Sequence, residues 1–202
     1  MINCPLCGRE LVVLTSVYET PYFGKLLLTS ITCKCGFRHA DSFSAEIGEP
    51  VRFTLEINSE TLYAKVVRST SGTIRIPELG LEMEPGPACQ GFITNVEGVL
   101  FRFESVVEMA RRWNSDNPEV VKRCDYIIEK LRLAREGKEK LTLIVEDPYG
   151  NSLIIDDKAF MERISREEAS NLKSGLTVLE IAGEDYISKA LRSNSDLGEH
   201  DI

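Results

Sequence analysis

Four of the six cysteines lie within the first 35 residues, as two close pairs, Cys4-Pro-Leu-Cys7-Gly8 and Cys33-Lys-Cys35-Gly36. A segment of about 45 residues cannot bury enough apolar surface to fold by itself, so its stability has to come from a staple. Two close pairs separated by a ribbon are the usual way to present four thiolates to one zinc ion. A glycine follows each pair. It frees φ for a tight turn in which backbone N–H groups can aim at sulfur. A disulfide framework requires an oxidising compartment. A redox-active CxxC opens a helix, whereas here Leu11-Val12-Val13-Leu14 opens a strand. Plain buried cysteines are the remaining alternative. The expectation is that Cys4, Cys7, Cys33 and Cys35 hold one zinc per chain. The second pair has a one-residue spacer, which tightens its turn, and His39 is an alternative fourth ligand.

Between the pairs, Pro21-Tyr22-Phe23-Gly24 separates two strand-like runs, so residues 1–48 are predicted to form a zinc ribbon: two strands with an aromatic tip. Pro21, Tyr22 and Phe23 are candidates for a partner-binding patch; the alternative is that they pack the finger onto the rest of the chain.

From residue 49 the pattern changes. Val51, Phe53, Leu55 and Ile57 share one face of a strand, and Leu62, Ala64 and Val66 share one face of the next. Ile74 and Ile76 lead into Pro77-Glu78-Leu79, and Phe92 to Phe103 is predicted as a hairpin. Such runs, punctuated by Gly and Pro, indicate an antiparallel sandwich or barrel. The period then switches. Ser105-x-x-Glu108 is predicted as a capping box, and Pro118 restarts a helix whose stripe is Val120, Cys124, Ile127, Leu131 and Ala134, ending at Gly137. A helical hairpin is therefore predicted over 104–137, inserted in a mainly β domain that spans 49–184. Strands resume at Leu141–Val145 and Leu153–Ile155, joined by a turn in which Asp147 and Asn151 are assigned a local closing role. Residues 166–173 are predicted helical and Leu176–Ile181 a strand. Residues 185–202 are a polar tail.

The chain carries 32 acids against 24 bases, a net charge of −8, which argues against binding nucleic acid through bulk positive charge. Ten bases and eight acids mix over residues 102–140, as on a solvated helical face. No apolar run approaches the roughly 20 residues that span a bilayer. The opening Met-Ile-Asn-Cys-Pro lacks the basic and apolar regions of a secretory signal, so the cytoplasm is expected. The two histidines, His39 and His200, both lie outside the β-domain. That removes the histidine-rich centre of a cupin-like enzyme.

Six segments, in order, give the chain a family resemblance: Cys4-Pro-Leu-Cys7-Gly8, Pro21-Tyr22-Phe23, Cys33-Lys-Cys35-Gly36-Phe37-Arg38, Ile76-Pro77-Glu78-Leu79, Thr94-Asn95-Val96-Glu97-Gly98 and Glu146-Asp147-Pro148-Tyr149-Gly150-Asn151-Ser152. Together they resemble the ZPR-type zinc finger family, in which this chain looks like a single-unit archaeal relative. The resemblance implies a double-stranded β-helix, jelly-roll-like, carrying a helical hairpin, with zinc held by the two cysteine pairs. It also implies a partner, translation elongation factor one-alpha, and a role in assisting that GTPase's folding. The resulting expectation is a non-enzymatic, zinc-binding protein-interaction module that serves as chaperone or adaptor for that factor. A nucleic-acid-binding zinc ribbon and a cupin-like enzyme using carboxylates are the alternatives.

Overall fold

The computed structural model describes residues 3–44, 47–86 and 89–173. The strand expected at Leu176–Ile181 and the tail at 185–202 lie outside the described residues. Three antiparallel sheets organise the chain. The first contains β1 (Val12–Thr20), β2 (Gly24–Thr32) and β3 (Arg38–Ser44), in that order. The predicted ribbon has two strands; the structure adds β3, which continues out of the second cysteine turn and pairs with β2. The turn at Gly36 reverses the chain and lays Arg38 opposite Thr32.

The mainly β domain is built from β4 (Val51–Ile57), β5 (Lys65–Arg68), β6 (Thr73–Ile76), β7 (Leu81–Met83), β8 (Phe92–Asn95), β9 (Leu141–Asp147), β10 (Leu153–Ile155) and β11 (Phe160–Arg163). They form a five-stranded sheet, β11-β4-β9-β6-β7, and a three-stranded sheet, β10-β5-β8. In the larger sheet Leu55 faces Leu143, Ile57 faces Leu141, and Ile74 faces Val145. In the smaller one Ile154 faces Val66. These pairs share one core, in which alternate residues of each strand turn inward. Leu62 and Ala64 are buried as predicted, but they precede the strand and lie in the turn that leads to Lys65. The core cluster runs from Leu55 to Ile154 and, among the described residues, includes none of the finger.

The helical insertion starts earlier than its predicted bounds. Residues 92–103 are not a hairpin: β8 stops at Asn95 and α1 (Val96–Trp113) begins at once. The backbone N–H groups that start a helix lack partners within it. Here Val96 N–H donates to the Ala64 carbonyl and Glu97 N–H to that of Leu62, both at 3.0 Å, and Gly98 N–H donates to the Asn95 side chain at 2.8 Å. The β-domain itself thus caps the helix. A Cβ at position 98 would come within 2.2 Å of Thr94 Oγ1, so the Thr94–Gly98 motif is a strand-to-helix junction. Ser105 is not a cap. It sits mid-helix and donates its hydroxyl to the Phe101 carbonyl. Pro118 does occupy the first turn of α2 (Pro118–Arg135), capped by Asn117. Val99, Leu100, Phe103 and Val107 of α1 meet Cys124, Ile128, Leu131 and Ala134 of α2 in the core. Glu104, buried between the helices, accepts from Arg132 at 2.6 Å and Arg135 at 2.5 Å. Arg123 donates to the Leu79 carbonyl and ties the hairpin to the 3-10 turn Pro77–Leu79. The short helix α3 (Arg166–Ser170) follows β11, as predicted from residue 166.

The turn after β9 is held by more than its own backbone. Asp147 is fully buried. One carboxylate oxygen accepts from the hydroxyls of Ser69 (2.6 Å) and Ser152 (2.5 Å). The other accepts from the Ser71 hydroxyl (2.8 Å) and the Tyr149 N–H (2.9 Å). Four donors from two chain segments converge on one carboxylate, which is how a buried charge is made tolerable. Removing it would take the shared acceptor from three buried hydroxyls and the Tyr149 N–H, leaving Ser69 and Ser71 only their bond to each other, 3.0 Å. Asp147→Ala is expected to destabilise the β-domain by about 3–5 kcal/mol in urea denaturation. A loss below about 1 kcal/mol would show that the cluster is not a keystone of the fold.

Candidate metal centre and the apolar face beside it

The two cysteine turns are built alike from different lengths of chain. In the first, Gly8 N–H donates to the Cys4 carbonyl at 2.9 Å; in the second, Gly36 N–H donates to the Cys33 carbonyl at 3.0 Å. The one-residue spacer of the second pair is accommodated by closing the turn one residue sooner. Both glycines sit at positive φ, +71° and +99°, where a side chain would be strained. Cys4 N–H donates to the Arg9 carbonyl and Cys33 N–H to that of Phe37, so each turn is also closed at its base.

The turns bring together four sulfurs, all within 4.8 Å of one another. Cys4 Sγ lies 3.6 Å from Cys35 Sγ, and Cys7 Sγ lies 3.5 Å from Cys33 Sγ. Sulfurs about 2.3 Å from a tetrahedral zinc are separated by about 3.8 Å, so the cluster fits that ion in donor type and spacing. His39 is not part of it. It lies exposed on β3, opposite Ile31. The Arg9 backbone N–H favours the Cys7 thiolate, but desolvation and the neighbouring sulfurs of Cys35, Cys33 and Cys4 outweigh it and push the thiol up to about 12. Sulfurs this close repel one another as anions, and a bound dication removes that penalty. Four thiolates around one ion would leave no open coordination position, which suits a structural role rather than a catalytic one.

The aromatic tip turns toward the β-domain. Tyr22 has φ +74°, an uncommon conformation for a bulky residue. Its hydroxyl accepts from Lys65 Nζ at 3.2 Å, and the same ammonium lies 5.0 Å from the ring centre. Phe23 lies alongside Gly91, where a Cβ would be 3.5 Å from its ring. Pro21 is exposed and Tyr22 about half exposed.

A feature that sequence periodicity alone did not single out lies on the sheet behind the tip. The pairing places Leu14 opposite Ser30, Ser16 opposite Leu28, and Tyr18 opposite Leu26, all on one face. Leu14 is 63% exposed, Tyr18 54% and Leu28 39%. They line a cleft of about 710 Å³ whose other wall is Thr70, Cys89, Gln90 and Gly91 of the β-domain. That a strand opens at Leu11-Val12-Val13-Leu14 was visible in the sequence. Its lack of a covering layer was not.

Among the described residues, no helix is long and apolar enough to cross a membrane. A family model described as the ZPR1 jelly-roll domain matches residues 60–176. The chain is 41% identical over 184 residues to an uncharacterised ZPR1-like protein of Methanocaldococcus jannaschii, covering 89% of this chain and 92% of that one. It is 34% identical over 160 residues to the human zinc finger protein ZPR1, and 29% identical over 159 residues to the zinc finger chaperone zpr1 of Schizosaccharomyces pombe. Against each of these eukaryotic proteins it covers about three quarters of itself and 34% of the other chain. The four-cysteine finger, the jelly-roll with its helical hairpin and this similarity together place the chain in the ZPR1 zinc finger family.

Proposed function

We propose that this chain is a non-enzymatic, zinc-stabilised protein-binding module of the cytoplasm, a chaperone or adaptor whose partner is translation elongation factor one-alpha. The observation that carries the reading is the solvent-facing apolar face of the finger. Leu14, Tyr18 and Leu28 stand together in the open, next to a cleft large enough to receive a partner segment. Contiguous apolar surface left in water marks a protein-interaction site. The chaperone name of the fission-yeast relative supports the same class of function, and the elongation factor is the partner implied by the family resemblance. Pro21, Tyr22 and Phe23 extend the patch at the end of the same ribbon.

Cys4, Cys7, Cys33 and Cys35 are assigned as the ligands of one zinc. When bound, the ion supplies a cross-link between the two turns that the finger's small apolar content cannot replace. Residues 1–48 and 49–184 are treated as two units, since the core cluster draws nothing from the finger.

Protein purified without chelator is expected to contain one zinc per chain by elemental analysis. Cys33→Ser should release it and melt the finger while the β-domain keeps its circular dichroism and its urea transition. Full zinc retention in this variant would remove Cys33 from the ligand set. A single joint transition would sink the two-unit partition.

The partner face is tested with purified elongation factor one-alpha in titration calorimetry. Leu14→Glu/Leu28→Glu is expected to weaken binding at least about tenfold with zinc content unchanged, as loss of an apolar anchor of about 1.4 kcal/mol or more requires. Tyr22→Ala/Phe23→Ala should weaken it as well. Undiminished binding by the first variant would eliminate the face, and undiminished binding by the second would eliminate the tip. No binding by the unaltered protein would eliminate the partner.

A further inference from the structure

The larger sheet of the β-domain stops at β7, which is three residues long. Ile74 of β6 faces Met83, and Ile76 faces Leu81. Leu81 and Met83 therefore point to the core side, where they pack against the buried cluster but stay half-buried. Glu82, between them, points outward and pairs with Arg75 at 2.6 Å. Among the described residues, no strand pairs with the other side of β7. That side presents a row of backbone N–H and C=O groups, and such an edge is a template for one more strand.

The described residues reach Lys173 at this same edge. α3 follows β11, at the opposite margin of the sheet, and Glu168 of α3 pairs with Arg52 of β4. Asn171 N–H donates to the Glu168 carbonyl and Leu172 N–H to that of Ala169, so the chain turns as the helix ends. Lys173 Nζ then meets Glu84 Oε2 at 2.5 Å, one residue past Met83. The hydrogen bond and charge of Glu84, with a smaller contribution from Glu82, raise the pKa of this lysine. Between Glu168 and Lys173 the chain thus crosses from β4 to β7. Ser174 and Gly175 come next, then Leu176-Thr177-Val178-Leu179-Glu180-Ile181, a run rich in residues that favour strands. The three steps from Lys173 to Leu176 span about 10 Å when extended, about two strand spacings.

We propose that the segment Leu176–Ile181 adds to the free side of β7 as an antiparallel strand, so that the chain closes the edge of its own larger sheet. The direction follows from the point of entry. Lys173 stands at the end of β7 marked by Glu84, so the segment runs from Met83 toward Leu81, antiparallel like the other pairings of this sheet. Opposed residues share a face. With Leu176 opposite Met83 and Val178 opposite Leu81, two apolar side chains cover the half-buried pair, and Thr177 faces outward opposite Glu82. A slip of one residue would turn Leu176 and Val178 into water, so the pattern fixes the register. An edge closed in this way is withdrawn from pairing with other chains.

The experiment is hydrogen exchange of the purified 202-residue chain, read by mass spectrometry beside a protein that stops at Ser174. Amides of 177–181 are expected to exchange at least about tenfold more slowly than in the isolated peptide 174–202. Removing the segment should speed exchange over 81–83 by at least about tenfold. Leu176→Asp/Val178→Asp, which puts two charges on the core side, should release both segments. Thr177→Lys, outward and opposite Glu82, should leave both protected. Exchange of 177–181 at the free-peptide rate in the unaltered chain overturns the proposal. Exchange over 81–83 that the truncation leaves unchanged also overturns it, because the segment then rests elsewhere. Release by Thr177→Lys as complete as that by the double variant overturns the register. Protection that fades on dilution, with a dimer in light scattering at high concentration, gives the edge to a second copy and overturns the intrachain pairing. If the truncated protein does not fold, the unaltered chain and the contrast between the two substitutions decide.

Discussion

The buried carboxylate of Asp147 is the interaction on which the junction of the two units depends. Its four donors come from two segments, 69–71 and 149–152, that would otherwise be independent surface loops. Fixing them also fixes the chain that enters from the finger. Gly48 N–H donates to the Tyr149 carbonyl at 2.7 Å, and Gly150 packs so closely on the Glu49 backbone that a Cβ there would lie 2.3 Å from the Glu49 carbonyl oxygen. Tyr22, Phe23 and Gly24 face the same place, lining a cleft with Gly48, Gly150 and Asn151. The chain leaving the finger is thus in contact with a turn about 100 residues further along the chain.

The two units reach stability by different physical routes. The β-domain buries a continuous apolar cluster and pairs the first N–H groups of α1 with its own carbonyls. The finger buries little beyond Cys4 and leaves Val12, Leu14 and Tyr18 in water. A small three-stranded sheet that leaves Leu14 and Tyr18 exposed on one face and Val13 on the other is marginal by burial alone. The four sulfurs gathered at its base stand where a cross-link between the two turns would supply the order that packing does not.

Much of this was legible in the sequence, and the misreadings have identifiable causes. The cysteine pairs with their trailing glycines, the inward alternation of Val51 to Ile57 and the stripe from Val120 to Ala134 each carry a strong local period or spacing, and each appears where expected. The start of α1 was misplaced because its caps are not local. The carbonyls of Leu62 and Ala64 lie more than 30 residues upstream of the N–H groups they receive. Gly98 and the alternation of Val99, Phe101 and Phe103 imitate a hairpin within a short window. Ser105 offered the right residue type at the wrong end of the helix. The third strand of the finger was hidden because Arg38–Ser44 has little apolar periodicity and is held by pairing with β2 instead.

Asp147 and Arg68 show a different limit. Both stand next to residues that make ordinary turns, and a charged residue in a turn is expected to face water. Burial reverses the meaning of each charge. The carboxylate becomes an organiser of hydroxyls, and the guanidinium donates to the Gly72 carbonyl and to Cys89 Sγ. Neither role can be assigned from spacing, since Ser69 and Asp147 are 78 positions apart and Arg68 and Cys89 are 21 apart. What the sequence did hold was a count: Cys89 was the one cysteine belonging to neither the finger quartet nor a helical stripe. A residue left unassigned by every periodicity owes its surroundings to tertiary contacts, here the Arg68 guanidinium that donates to Cys89 Sγ at 2.9 Å.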